Sequence, residues 1–262
     1  MGGGLVDVDG AEIYYERRGS GPTLLLIVGL TGDAGWFEPF AELLAERFTV
    51  ITYDRRGNSR SPRPITWTST SIAEQADDAA GLLSKLGLAP AVVFGTSFGA
   101  VILLELIVRH SRAIRGAIAH EPAVYSLFPR AQDLPAFWQS RLARGGSRHA
   151  MEVWLEMKED DVIEGLDPKL AQRILGNAEV CLTMELPLLF SDVPNARAVK
   201  ECRVPVLVAA GEETEMFYFG TSRWLAGQLG TEFHALPGGH GGYHERPKEF
   251  ATALLPLLDK LC

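Results

Sequence analysis

The stretch Gly95-Thr96-Ser97-Phe98-Gly99 carries the most information about the fold. It follows the apolar run Val92-Val93-Phe94, which is typical of a buried strand, and it leads into a helical pattern from Ala100 to His110. A serine between two glycines at a strand-to-helix turn indicates a nucleophile, because glycines let strand and helix approach closely around a strained, exposed hydroxyl. The helix N-terminus favours the negative charge that develops during acyl transfer. A plain glycine-rich turn is the alternative interpretation.

Short β-branched or leucine-rich runs alternate with helical patterns along the chain. The predicted strands are Glu12 to Tyr15, Leu24 to Val28, Phe48 to Tyr53, Ala91 to Phe94, Gly116 to Ala119, Val204 to Ala209 and Glu232 to Leu236. The predicted helices are Phe40 to Glu46, Ile72 to Leu86, Ala100 to His110 and Phe250 to Leu258. This alternation predicts a mostly parallel sheet covered on both faces. The first two strands are close enough for a hairpin, so the sheet should begin antiparallel.

The alternation stops between Tyr125 and about Asn195. This segment has helical patterns broken at Gly145-Gly146, Asp167-Pro168 and Leu186-Pro187, and it offers no strand candidate. It is therefore interpreted as a helical cap, or lid, inserted between two strands of the sheet. The predicted domains are a core of residues 1–124 and 196–262 and a cap of residues 125–195.

A nucleophilic serine needs a base, which the chain order places near the C-terminus, after the last strand. His240 fits, because it lies on a glycine-rich loop just past the strand Glu232 to Leu236, at the same sheet edge as Ser97. His234, within that strand, and His244, near the start of the last helix, are the competitors. The oxyanion hole should use the N–H of Phe98 and a second N–H from Gly29 or Leu30.

These features together resemble the α/β-hydrolase superfamily. The residues that carry the resemblance are Val28 to Gly32, Tyr53 to Ser61, Gly95 to Gly99 and Pro237 to His240. The resemblance implies the α/β-hydrolase fold, a mostly parallel twisted sheet flanked by helices, with a helical cap inserted after the sixth strand. One departure is Val28, which stands where histidine commonly precedes the oxyanion glycine.

The third member of the triad has two candidates. The commonest family pattern places an aspartate in Gly-x-x-Asp after the strand Val204 to Ala209, but Thr214 occupies that position here. The Glu212 to Glu215 cluster would serve if the turn shifts. The other candidate is Glu121, which follows the preceding strand. Zearalenone lactonase-like serine hydrolases place the acid there, and their resemblance to His120-Glu121 and to Leu236-Pro237-Gly238-x-His240 favours Glu121.

The resemblance implies a serine hydrolase that cleaves a neutral, largely apolar carboxylic ester or lactone through an acyl-enzyme. A macrocyclic resorcylic lactone such as zearalenone is one such substrate. The chemistry needs no metal or organic cofactor. The alternatives are a C–C bond hydrolase, a lyase or a cofactor-free oxygenase on the same fold, or a hydrolase-like ligand receptor.

Substrate selection is assigned to the cap and to residues facing it. The expected substrate-binding residues are Tyr125, Leu127, Trp138, Trp154, Met157, Cys181, Leu186, Phe217 and Tyr243. Met151, Trp154 and Met157 recur at helical spacing, so a packed core within the cap is the competing interpretation. The tryptophan that the lactonase uses against its substrate is replaced near Cys181.

Composition limits the partners. The chain of 262 residues carries 25 Lys and Arg against 33 Asp and Glu, a formal net charge of −8, which argues against nucleic acid and anionic membranes as partners. Three cysteines without a CxxC motif, and a first segment without a signal-peptide pattern, favour a cytoplasmic protein. Between Tyr125 and Asn195 we count 11 acidic and 7 basic residues, so the cap should repel anionic substrates. The expected partner is a small-molecule ester or lactone, and the sequence leaves a homodimer open.

Overall fold

The computed structural model describes residues 2–127, 133–156, 166–191 and 193–262. Within these residues, eight strands form one sheet in the order β1-β2-β4-β3-β5-β6-β7-β8. The strands are β1 (Gly2–Val8), β2 (Ala11–Arg18), β3 (Thr23–Ile27), β4 (Thr49–Tyr53), β5 (Ala91–Thr96), β6 (Ile114–His120), β7 (Val206–Gly211) and β8 (Phe233–Leu236). The β1–β2 and β2–β4 pairs are antiparallel and the other pairs are parallel. The predicted α/β-hydrolase fold, a mostly parallel sheet flanked by helices, is confirmed.

Helices cover the two faces of this sheet. The α-helices are α1 (Glu38–Leu44), α2 (Ile72–Lys85), α3 (Phe98–His110), α4 (Leu134–Glu156), α5 (Pro168–Gly176), α6 (Leu186–Ser191), α7 (Ala196–Glu201), α8 (Met216–Leu229), α9 (Gly242–Glu245) and α10 (Pro247–Asp259). Short 3-10 helices span Ala34–Phe37, Ser111–Ala113 and Tyr125–Leu127, and a π-helix spans Val180–Glu185.

Strand β3 illustrates why the central strands are apolar throughout. Leu24 and Leu26 pack into the cluster that contains α1 and α10, whereas Leu25 and Ile27 pack into the cluster that contains α2 and α3. Alternating side chains of a strand point to opposite faces, so a strand covered on both sides has no exposed face to fill with polar residues. This arrangement fixes the C-terminal edge of the sheet as the place where loops can carry a site.

Two parts of the fold differ from the sequence-based expectation. The predicted hairpin between Glu12 to Tyr15 and Leu24 to Val28 is wrong, because β2 pairs with β1 and β4 instead. The antiparallel start of the sheet is confirmed, but its first strand, β1, begins with three glycines that have low strand propensity and was not predicted. Helix α8 was not predicted either, since its sequence contains two glycines and several aromatic residues.

The described parts of the segment between β6 and β7 consist of helices joined by short irregular stretches. Gly146 breaks α4 with φ of 74°, and the Asp167 carboxylate accepts hydrogen bonds from the backbone N–H groups of Lys169 and Leu170 at the start of α5. Both breaks were predicted. In the described part of the chain, no single helix is long and apolar enough to cross a membrane, although α5 and the helical segment Val180–Ser191, which meet at a bend of 46°, pass that test as a pair, by length and composition.

Candidate active site

Ser97 lies at a tight turn between β5 and α3. Its backbone has φ of 56° and ψ of −121°, which is a strained conformation for a residue with a side chain. The two flanking glycines are required by space: a Cβ on Gly95 would lie 2.4 Å from the Gly99 carbonyl oxygen, and a Cβ on Gly99 would lie 2.2 Å from the Ile27 carbonyl oxygen. The turn therefore holds a nearly buried serine, 8% exposed, at the C-terminal edge of the sheet.

His240 and Glu121 meet at the same edge. His240 follows β8, Glu121 follows β6 directly, and Nδ1 of His240 is hydrogen-bonded to Oε2 of Glu121. The other carboxylate oxygen, Oε1, accepts the backbone N–H of Gly211 at 2.7 Å. Glu121 adopts a positive φ of 49° just before Pro122, so this turn directs the carboxylate toward the loop that carries His240.

The competing residues have other partners. The Glu213 carboxylate binds the guanidinium of Arg246 at 2.7 and 2.8 Å on the surface. Nδ1 of His244 lies 3.2 Å from the carbonyl oxygen of Trp36, and His234 lies within β8 beside Glu232. Of the candidate acids, it is therefore Glu121 that the fold brings into contact with the His240 imidazole.

Electrostatics favour an ionised Glu121. Burial would raise the pKa of its carboxyl, but the neighbouring charge on His120, the hydrogen bond with His240 and the Gly211 N–H together lower this pKa to about 2. Burial lowers the pKa of His120 to about 4, so His120 is neutral at pH 7. At that pH, the Glu121 carboxylate is stabilised by His240 and by the Gly211 N–H. A carboxylate only accepts hydrogen bonds, so Nδ1 of His240 carries the proton and Nε2 is left as the basic nitrogen.

A cavity of about 90 Å³ lies beside Ser97 and His240. Its walls are mainly apolar, and Glu245 adds a carboxylate. The lining residues are Val28, Gly29, Leu30, Thr31, Trp36, Ser97, Trp154, Leu155, His240, Gly241, Tyr243 and Glu245. Among the residues that the structure describes, no group of three His, Cys, Asp or Glu side chains is placed to hold a metal ion.

The loop after β3 lies directly against Ser97. A Cβ on Gly29 would be 3.0 Å from the Ser97 Cβ and 3.5 Å from its Oγ, so this backbone approaches the serine as closely as a glycine allows. Within the described ranges, the N–H groups of Leu30 and Phe98 have no protein acceptor. Leu30 lines the cavity and Phe98 begins α3 directly after Ser97, where a negative oxygen would need donors.

Tyr218 is a site residue that sequence reasoning missed. Its ring stacks on the His240 imidazole with centroids 3.8 Å apart and planes 14° apart, and Ser97 is among the neighbours of its hydroxyl that lower the pKa of the phenol. The hydroxyl also lies 3.4 Å from that of Tyr125. Burial raises the pKa of the Tyr218 phenol well above its usual range, so the hydroxyl stays protonated. The available signal was the aromatic pair Phe217-Tyr218 after β7, of which only Phe217 was selected.

The predicted substrate-binding residues divide into three groups. Trp154 and Tyr243 line the cavity. Tyr125 and Phe217 stack on each other with centroids 4.6 Å apart, next to Tyr218. Leu127, Trp138, Cys181 and Leu186 pack within the interior away from the cavity wall, and Met157 lies outside the described residues.

The interior position of Cys181 has a specific cause. Its Sγ lies 3.5 Å from the carbonyl oxygen of Leu30 and 3.6 Å from Oδ1 of Asn58, and the side chain is fully buried. Cys181 therefore contacts the backbone of the loop after β3, and burial raises its pKa well above the usual range.

Comparisons with known proteins bear on the family and the fold of this chain. Residues 24–253 match the model of the alpha/beta hydrolase family. The chain is 36% identical over 262 residues to YraK, an uncharacterized hydrolase of Bacillus subtilis, covering 98% of this chain and 96% of YraK. A thermophilic esterase from Thermogutta terrifontis has the same fold, with a TM-score of 0.81, 21% identity and coverage of 100% of this chain and 99% of the esterase. An enol-lactonase from Burkholderia xenovorans superposes with a TM-score of 0.82 at 20% identity, covering 98% of this chain and 100% of the lactonase. With the family model covering most of its length and a relative matching it end to end, the chain belongs to the alpha/beta hydrolase family.

Proposed function

We propose that this protein is a serine hydrolase that cleaves neutral, largely apolar carboxylic esters or lactones through an acyl-enzyme on Ser97. The observation that carries the proposal is the position of His240, whose Nδ1 binds the Glu121 carboxylate while its ring borders the cavity that contains Ser97. A nucleophile, a base and a carboxylate that orients the base are the three groups that acyl transfer requires.

In the proposed first step, Nε2 of His240 takes the proton of Ser97 Oγ as the oxygen attacks the ester carbonyl. The carbonyl oxygen becomes negative and accepts hydrogen bonds from Phe98 N–H and from Leu30 or Gly29 N–H. The His240 imidazolium then protonates the leaving alcohol, which stays tethered to the acyl chain in a lactone. Water resolves the acyl-enzyme with His240 again acting as base.

Glu121 has an orienting role in this scheme. It holds the imidazole in the tautomer with the proton on Nδ1 and stabilises the positive charge that forms on the ring. Its depressed pKa of about 2 keeps it ionised across the range in which His240 can act as a base. The Gly211 N–H fixes the carboxylate so that its other oxygen faces His240.

We assign residues 125–195 as a cap over this site. Trp154 and Leu155 of α4 supply one wall of the cavity. Helix α5 is joined to the core by an ion pair of 2.6 Å between Arg173 Nε and Asp33 Oδ2. Asn177 adds a hydrogen bond of 2.8 Å to the Thr31 carbonyl oxygen. A cap attached beside the nucleophile would set the size of the acyl group that enters.

The size of the cavity favours a small acyl group. An apolar cavity of ~150 Å³ accommodates one benzene molecule, and the cavity here is smaller, at about 90 Å³. We therefore propose short-chain esters and small lactones as the better substrates. A macrocyclic resorcylic lactone such as zearalenone exceeds the volume of this cavity, so it should be the poorer substrate. The structural similarity to an esterase and an enol-lactonase agrees with both bond types.

The test combines turnover with labelling of the nucleophile. We would assay p-nitrophenyl esters of increasing acyl length, a panel of small and macrocyclic lactones, and diketones, and in parallel treat the enzyme with a fluorophosphonate probe. The expected result is ester or lactone hydrolysis and labelling that Ser97→Ala abolishes, while Ser191→Ala, at an exposed serine, retains both. Cleavage of diketones alone would point to a C–C bond hydrolase. An unlabelled Ser97 with tight ligand binding would point to a receptor, and either result would contradict the proposal.

A further inference from the structure

A buried arginine lies beneath the loop that borders Ser97. Arg55 follows β4, is fully buried, and donates from Nη1 to the carbonyl oxygen of Val28 at 2.8 Å and to that of Gly29. Its Nη2 donates to Glu185 at 2.6 Å, and Glu185 is also fully buried. None of these contacts belongs to the triad, so their purpose is not explained by the proposed chemistry alone.

The two carbonyl groups that Arg55 binds belong to the peptides whose N–H groups are the candidate oxyanion donors. In a trans peptide, the C=O of one residue and the N–H of the next point in opposite directions. A donor fixed on the Val28 and Gly29 oxygens therefore directs the Gly29 and Leu30 N–H groups to the other side of the loop. A cation on the oxygen side also polarises each peptide, which makes its N–H a stronger donor.

Arg55 also contacts the second half of the oxyanion hole. Its guanidinium carbon lies 5.0 Å from the centroid of the Phe98 ring, within the range of a cation–π interaction. Phe98 supplies the other proposed N–H donor and follows Ser97 directly. Arg55 thus contacts both parts of the proposed oxyanion hole, the backbone of the loop after β3 and the ring of Phe98.

The next two carbonyl groups of this loop, those of Leu30 and Thr31, contact side chains of the helical segment between β6 and β7. The Leu30 oxygen faces Cys181 Sγ at 3.5 Å, and the Thr31 oxygen accepts a hydrogen bond from Asn177 at 2.8 Å. Glu185, which ends the π-helix, completes the set through its ion pair with Arg55. The four successive carbonyl oxygens from Val28 to Thr31 are thereby each contacted by a buried side chain, and π-helical turns are common where a function requires such an irregular arrangement.

Asn58 and Gln75 satisfy the remaining oxygen of Glu185. Their side-chain amides lie 3.1 and 3.4 Å from its Oε1. A buried ion pair with additional hydrogen bonds is costly to form and much more costly to break on one side, so it fixes a geometry more than it adds stability.

We propose that Arg55, anchored by Glu185, is a positioning residue that orients and polarises the Gly29 and Leu30 peptides for binding the oxyanion. This inference rests on the proposed hydrolase function. It predicts that loss of the guanidinium lowers kcat and leaves KM nearly unchanged, because the affected interaction forms in the transition state.

The test separates positioning from folding with a double variant. Arg55→Met/Glu185→Leu replaces the buried ion pair with apolar side chains, which commonly preserves stability, but leaves the two carbonyl oxygens without their donor. The matched control is Arg56→Met/Asp78→Leu. It removes the adjacent buried ion pair of 2.5 Å, which contacts the Val8 carbonyl oxygen and not the loop after β3. For each protein we would measure kcat and KM, thermal unfolding and the backbone amide resonances of Gly29 and Leu30.

We expect the Arg55→Met/Glu185→Leu variant to fold, to lose about 100-fold in kcat with KM changed by less than about 3-fold, and to show shifted Gly29 and Leu30 amide resonances. The control should keep both resonances and a kcat close to that of the wild type. Unmoved resonances, or an equal loss of kcat in the control, would overturn the inference. The amide resonances test the positioning role of Arg55 even if the wild type hydrolyses no ester. The absence of ester hydrolysis would contradict the proposed function instead.

Discussion

Nδ1 of His240 donates a hydrogen bond to Oε2 of Glu121, a residue 119 positions earlier in the chain. The carboxylate comes from the strand next to the one that ends at Ser97, since β5 and β6 are parallel neighbours. The end of β7, just before the loop where the family's commonest pattern has its acid, contributes the Gly211 N–H that holds the Glu121 carboxylate. The proposed acid and the N–H that holds it therefore come from the ends of two neighbouring strands.

Replacing this carboxylate should remove most of the turnover. Glu121→Gln presents an amide where His240 needs an ionised acceptor, so we expect kcat to fall by about 10³- to 10⁴-fold. Steady-state kinetics on a p-nitrophenyl ester measure this. Glu213→Gln is the matched control, since its carboxylate binds Arg246 on the surface. A Glu121→Gln enzyme with near wild-type kcat, beside an inactive Glu213→Gln enzyme, would move the acid to the Glu212 to Glu215 cluster.

His120 should make the fold sensitive to mild acid. Burial lowers its pKa from 6.5 to about 4, so the unfolded chain binds a proton that the folded protein excludes, and stability falls as pH drops from 6.5 toward 4. His120 alone should contribute a loss of about 2 kcal/mol in the free energy of unfolding between pH 7 and pH 5. His120→Gln should abolish it, whereas the exposed His149→Gln should not.

Urea unfolding of the wild type and both histidine variants at pH 7 and pH 5 measures this change in the free energy of unfolding. Asp78 titrates in the same range with the opposite sign, because burial raises the pKa of its carboxyl to about 6 and the group gains stability as it is protonated. This contribution is common to the wild type and both histidine variants, so it cancels in the comparison. An equal pH dependence in His120→Gln would show that His120 is not the group responsible.

The turn around Ser97 should tolerate no side chain at Gly99. A Cβ there would lie 2.2 Å from the Ile27 carbonyl oxygen, so Gly99→Ala forces β3 and α3 apart and should cost about 1–3 kcal/mol. Gly227→Ala is the contrast, because that exposed glycine of α8 has open space around it, and alanine should stabilise the helix by about 0.5–1 kcal/mol. Thermal unfolding distinguishes them, and similar effects in both would contradict the steric argument.

Tyr218 should act mainly through its ring. Tyr218→Phe keeps the stacking on His240 and removes the hydroxyl, so we expect kcat within about 10-fold of the wild type. Tyr218→Ala removes the surface against which the imidazole lies, and kcat should fall by about 100-fold with little change in KM. If Phe and Ala lower kcat equally, the hydroxyl that contacts Ser97 is the important group.

Anionic acyl groups should be poor substrates. Glu245 lies at the cavity, and the segment 125–195 carries an excess of acidic residues. We therefore expect kcat/KM for the p-nitrophenyl monoester of glutarate to be about 10-fold below that for p-nitrophenyl pentanoate. The difference should shrink in high salt and in Glu245→Gln. A preference for the glutarate ester would contradict this electrostatic interpretation.

The local motifs were predictable and the long-range pairings were not. Ser97 could be located because the sequence of five residues determines the turn around it. The hairpin was placed wrongly because β2 prefers β4, a partner more than thirty residues away, over the nearer β3. Strand β1 is held by its pairing with β2, although its glycines argue against a strand.

The residues that support the site were harder to predict from the sequence than the motif around Ser97. Arg55 and Glu185 are 130 positions apart, and nothing in the pattern around either residue indicates its partner. Cys181 was selected because the lactonase tryptophan is replaced near it, but neither a resemblance nor periodicity distinguishes a side chain that faces a cavity from one that packs beneath a loop. Tyr218 was overlooked because its importance depends on the position of His240, which only the folded chain establishes.

The close approach of Gly29 to Ser97 determines which positions of the cavity wall can be varied in a redesign and which must stay constant. Any larger residue at position 29 would push on the serine Cβ, which is 3.0 Å from where its own Cβ would lie, so that position must stay constant in a mutant library. Trp36, in the 3-10 helix Ala34–Phe37, and Trp154 and Leu155, in α4, border the same cavity from elements that carry none of the proposed triad residues. Randomising these three would change the volume available to the acyl group while the nucleophile keeps its place.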